Sequence, residues 1–76
     1  MNARKLRALM VLHGDNITTL AKAIGISRST LSATLNGRRD MRVGEVVAIV
    51  DRYKLTAEQV DMIFFGRGHA EEKVSV

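Results

Sequence analysis

Apolar residues recur three and four positions apart along almost the whole chain, which predicts helices joined by short connections. Leu6, Leu9, Met10 and His13 share one face of a first helix over residues 3–13, stopped by Gly14. Asp15 or Asn16 then caps a second helix whose Ile17, Leu20, Ala21 and Ile24 face inward and which Gly25 ends. Ser27 is placed to accept from the unpaired amides of a third helix over residues 28–36, with Gly37 as terminator. A basic loop, Arg38, Arg39, Asp40 and Met41, leads into a fourth helix marked by Val43, Val46, Val47, Val50 and Tyr53. Thr56 and Gln59 have the spacing of a capping box and open a fifth helix over residues 57–65, with Val60, Ile63 and Phe64 inside. From Gly66 the pattern stops. Residues 1–65 are therefore read as one domain and residues 66–76 as a flexible tail, in which the alternation of Val74 and Val76 leaves room for a short dimerisation strand.

Composition supports this picture and removes several functions. A chain of 76 residues makes one small core, with a net stability of only about a few kcal/mol. Proline is absent, and the lack of cysteine rules out a disulfide framework or a thiolate metal site. His13 and His69 are too few for a common zinc site, and His13 is read as a partly buried helix-end residue. No apolar run is long enough to span a bilayer, and the basic N-terminus lacks the apolar core of a signal peptide, so a cytoplasmic protein is expected. Glu45, Asp51, Glu58 and Asp61 are separated carboxylates with no phosphate loop or ligand cluster beside them; they read as a solvated acidic side, and neither enzyme nor cofactor nor small-molecule substrate is implied.

The net charge of +4 and a pI of about 10.1 suit a partner that carries phosphates, because Lys and Arg supply most non-specific affinity for nucleic acid. Arginine outnumbers lysine two to one, which favours bidentate contact with phosphate or guanine. Arg4, Lys5 and Arg7 lie in the first turns of the first helix, where positive charge opposes the helix dipole; phosphates or partner acids would account for them.

The most informative stretch is ITTLAKAIGISRSTLSATLNGRR, residues 17–39. Two helices joined by a tight glycine turn can cross steeply only where the touching side chains are small, and Ala21 supplies that. Gly25 can adopt the left-handed conformation that ends the second helix, Ile26 can plug the corner, and Leu31 can anchor the third helix to the same core. With Leu31 inward, Ser29, Ser32, Ala33 and Asn36 fall on the opposite side and Arg28 stands at the exposed amino end. That face is small, polar and free of acid from Lys22 to Arg39, as a helix entering a major groove about 12 Å wide requires. An ordinary solvent face would carry Glu and Lys.

Leu20, Ala21, Gly25, Ile26, Ser27, Leu31, Asn36 and Gly37 together resemble the lambda-repressor-like family of Cro, repressor and XRE-type regulators, over about residues 6–65. The resemblance implies a compact all-α domain of five helices with a helix-turn-helix at the second and third. It also implies base contacts from Arg28, Ser29, Ser32 and Ala33, and phosphate contacts from Thr18, Thr19, Thr30, Asn36, Arg38 and Arg39. Many relatives open the second helix with a glutamine that braces a phosphate, where this chain has Ile17, and Thr34 stands where relatives often bury an aliphatic, a contact Leu35 can take over. The expected partner is double-stranded DNA, an operator with an inverted repeat, bound by a homodimer whose interface includes Phe65, Val74 and Val76. The reading from another class is a protein-interaction module, such as an antitoxin or adaptor, that uses the helix-turn-helix as scaffold.

Overall fold

The structure is a computed structural model and describes residues 1–65; the tail, with His69, Val74 and Val76, lies outside them. The described residues form five helices: α1 (Ala3–Leu12), α2 (Ile17–Ile24), α3 (Arg28–Leu35), α4 (Val43–Tyr53) and α5 (Ala57–Val60), the last continued by a π-helical turn, Asp61–Phe65. No strand occurs among the described residues. One core is built from Leu6 and Met10 of α1, Leu20 and Ala21 of α2, Leu31 and Leu35 of α3, Ile49 and Tyr53 of α4, and Ile63 and Phe64 of the last turn.

Side chains cap most helix starts, at Asn16, Ser27 and Thr56 as the sequence predicts and at Asn2 in addition. The Asn2 carboxamide accepts from the Lys5 amide at 3.0 Å. Asn16 and Thr19 satisfy each other's amides across the first turn of α2, both at 2.9 Å. Thr56 and Gln59 do the same for α5. Each such bond satisfies an amide that the helix itself leaves without a partner. Asn16, not Asp15, is thus the cap of α2.

Asp15 serves a longer-range contact. Its carboxylate, 4% exposed, accepts from Nε and Nη2 of Arg52 at 2.8 and 2.7 Å, from the Tyr53 hydroxyl at 2.6 Å and from Thr19 Oγ1 at 2.8 Å. The turn between α1 and α2 is thereby fastened to the end of α4. The bond from Arg52, joined by those from Tyr53 and Thr19, holds the Asp15 carboxyl far below the usual range against the opposing effect of burial. Burial, and then the Asp15 carboxylate, push the Tyr53 phenol upward.

Three expectations need correction. The first helix ends at Leu12, and His13 is its C-cap, exposed rather than partly buried, with its ring stacked on Tyr53 at 4.5 Å between centroids. On α4, Tyr53 is buried and Val46 and Val50 pack half-buried against the core, but Val43 and Val47 are 79% and 59% exposed, and the buried stripe is completed by Glu45 and Ile49. Ile49 offers more surface to bury than Val43 or Val47, and Arg39 makes Glu45 buriable, so the inner face is turned away from Val43 and Val47. The fifth helix does not continue regularly to Phe65. Its hydrogen-bond ladder widens from Asp61, and in this wider turn the consecutive Ile63 and Phe64 are both buried while the Ile63 carbonyl accepts from the Asn2 amide.

Candidate nucleic-acid interface

The interface begins with the corner between α2 and α3. Gly25 ends α2 with φ of 83°, and the Ile26 amide returns to the Ala21 carbonyl at 3.0 Å. Ala21 is 2% exposed and Leu31 is fully buried, so a small side chain of α2 and a large one of α3 both enter the core that the two helices share. An added Cβ at Gly25 would meet nothing within 4 Å, so the position needs glycine for its backbone conformation alone. Gly25→Ala is expected to lower stability by about 1 kcal/mol with the fold retained, as urea unfolding will show.

Ser27 fixes the start of α3. Its hydroxyl accepts from the Thr30 amide at 3.0 Å and donates to the Thr30 hydroxyl at 2.7 Å, and the Ser29 hydroxyl lies 3.3 Å away. The helix carries no acid in its first turn, so its N-terminal amides and Arg28 present positive potential to solvent together. Arg28 and Ser29 are exposed, whereas Ser32 and Ala33 are half-buried. With Ile17, Ser27 and Arg38 these four side chains line one open groove. All four expected base-reading residues are therefore on a common surface, which two exposed arginines, Arg28 and Arg38, share. Ile17, where relatives often place glutamine, forms an apolar wall of the groove.

The residues expected to hold phosphates are placed less uniformly. Thr18 is exposed on the first turn of α2, but the Thr19 hydroxyl donates to Asp15 at 2.8 Å within the cap. Thr30 is half-buried, and its hydroxyl is bonded to Ser27. Asn36 is the exposed C-cap of α3 and receives Arg7 Nη2 at 3.5 Å, which brings a cation of α1 to the end of the recognition helix. Arg38 is exposed.

Arg39 turns inward. Its Nη1 and Nη2 donate to Glu45 Oε1 and Oε2 at 3.0 and 2.6 Å, and Nη1 also donates to Thr34 Oγ1 at 2.7 Å. Glu45, expected on the solvated acidic side, is instead 7% exposed. The Arg39 guanidinium, followed by the Arg42 amide at 3.1 Å, holds the Glu45 carboxyl below its ordinary range, and Glu45 raises Arg39 in return. Thr34 is 2% exposed and satisfied by Arg39 and by the Thr30 carbonyl, while Leu35, 5% exposed, fills the core beside it. The sequence carried a signal for this contact in Arg42-x-x-Glu45, which has capping-box spacing at its acidic end. Arginine in the cap position concealed it.

Among the described residues no group of His, Cys, Asp or Glu could hold a metal ion, and no helix is long and apolar enough to cross a membrane. An all-helical fold with a tight glycine corner and a small, acid-free recognition helix defines the helix-turn-helix class of DNA-binding domains. A family model described as a helix-turn-helix domain matches residues 3–62, and the chain belongs to that family, whose members are of the XRE/Cro-like type. No curated protein and no solved structure matches the chain.

Proposed function

We propose that this chain is a sequence-specific transcriptional regulator of the Cro or repressor kind, serving a phage or mobile element, that lays α3 in the major groove of an operator. The observation that carries this reading is the groove over α3: small side chains, no acid, and exposed Arg28 and Arg38 in its lining. Arg28 donates to guanine O6 and N7, while Ser29 and Ser32 contact base edges and Ala33 meets a thymine methyl. Thr18 and Arg38 take phosphates directly, Asn36 does so beside Arg7, and Thr19 and Thr30, whose amides and hydroxyls are bonded within the two caps, contribute by holding the helix starts that face the backbone.

Two copies on a two-fold site complete the operator, with half-sites about 34 Å apart, because one α3 offers few base contacts. The surface that best supports a second copy is apolar. Met1, Val43, Val47 and Phe65 are 46%, 79%, 59% and 60% exposed and rim a single groove between α4 and the last turn. Phe65 is central to that proposal. Val74 and Val76 lie outside the described residues and are carried as its extension.

Titration of a fluorescent duplex with the protein at several salt concentrations tests the reading. Affinity is expected to fall linearly in log–log form as salt rises, with the slope set by the number of phosphates neutralised. Absence of binding at low salt would favour the protein-interaction module.

A further inference from the structure

The loop between α3 and α4 carries Arg38, Arg39 and Arg42, and the structure treats them differently. Arg38 and Arg42 are exposed, while Arg39 is folded back on Glu45 and Thr34. We propose that Arg39 is a positioning residue whose charge is withdrawn from DNA by Glu45, and that it sets the loop so that Arg38 and Arg42 are the cations that meet the phosphate backbone. The inference rests on the DNA-binding reading above and assigns Arg42 to the interface for the first time.

The geometry supports a brace. A free loop arginine near a phosphate surface would remain extended and solvated. Here both terminal nitrogens face the two oxygens of one carboxylate, the arrangement that best matches a planar fork to a carboxylate. Glu45 sits on the third residue of α4, and its Oε1 also takes the Arg42 amide, so one side chain holds both ends of the segment from Arg39 to Arg42. Thr34 extends the same network into the buried side of α3. The Arg38 amide returns to the Ala33 carbonyl at 2.9 Å, which fixes the other end of the loop to the recognition helix. Arg38 is thus tied to α3 by its own amide, and the backbone of Arg42 at the start of α4 is tied to α3 through Glu45, Arg39 and Thr34, which holds the loop between them.

Burying Glu45 requires Arg39, because an unpaired carboxylate in this position would be strongly disfavoured. The pair therefore adds little to the net charge that DNA meets, although Arg39 lies in a basic loop.

The test exploits an opposition of signs. Glu45→Gln raises net charge by one and frees Arg39. If Arg39 is a positioning residue, binding of a fluorescein-labelled random-sequence duplex by Glu45→Gln is expected to weaken several-fold despite the added charge, with no steepening of the salt dependence. Thermal unfolding of the same sample will establish that it is folded at the assay temperature. The double variant Arg39→Met with Glu45→Met keeps net charge constant and fills the space with apolar side chains; its salt slope is expected to match the wild type. In Arg38→Ala and Arg42→Ala the slope should each time become shallower by about 0.9. Tighter binding and a steeper slope in Glu45→Gln, or a slope shallower by about 0.9 in the double variant, would make Arg39 a phosphate ligand and overturn the inference alone. A wild-type chain that binds no duplex would overturn the DNA reading and this inference with it.

Discussion

Asp15→Asn is expected to destabilise the domain by about 2 kcal/mol, lowering the melting temperature on the order of 10 °C. The carboxylate is 4% exposed and takes four hydrogen bonds, three of them from α4. Asparagine removes the charge that Arg52 needs and turns an NH2 group toward one of these donors. In a domain of this size, such a loss is a large part of the whole stability.

The effect should depend on pH in a defined direction. The folded Asp15 carboxyl lies below its unfolded value of about 3.9, so its contribution is complete above that value and fades as pH falls toward the folded one. The gap between wild type and Asp15→Asn is therefore expected to be widest near neutrality and to narrow below about pH 4. Glu45 is shifted in the same direction, so Asp15→Asn should retain some acid sensitivity. Tyr53 acts oppositely: its phenol is raised, so its contribution is present below an unfolded value of about 10 and is lost as pH rises past it. Urea unfolding across pH measures these effects, and parallel wild-type and Asp15→Asn curves would contradict the account.

The second large effect concerns specificity. Arg28→Ala should remove about 1 to 3 kcal/mol of discrimination at one or two base pairs, because no other side chain on this face could make the bidentate guanine contact proposed for it. Ser29, Ser32 and Ala33 are too short to reach the same atoms, and Arg38 follows the carboxyl end of α3, its amide on the Ala33 carbonyl, whereas Arg28 opens the helix. Arg38→Ala should instead weaken all sequences alike. The comparison requires a panel of operator duplexes, each carrying one changed base pair. Uniform weakening by Arg28→Ala across that panel would leave it a phosphate contact.

The sequence was most informative where the physical cause is local. Ser27, Thr56 with Gln59, and Gly25 each act within one turn of their own position, so their roles follow from spacing. Ala21 and Leu31 were legible because a steep helix crossing leaves little choice of side-chain size. What was not legible depends on distance along the chain or on competition between faces. Asp15 meets Arg52 across 37 positions, and nothing near either residue marks the pair. On α4, Val43 and Val47 have the right period but lose the inner face to Glu45 and Ile49, a choice made only when the other helices are in place. Arg39 lies in a stretch whose composition suggests phosphate contact, yet Glu45, six positions later, takes its guanidinium.

The central claim is that α3 reads base sequence. Selection of bound duplexes from a random pool at near-physiological salt, followed by sequencing, tests it most directly. An inverted repeat whose half-sites have a fixed separation of about one helical turn is the expected result, and it would show both sequence reading and the two-copy arrangement. Failure to enrich any motif, with binding that declines smoothly as salt rises, would contradict it: the α3 surface would then contact phosphates without reading sequence.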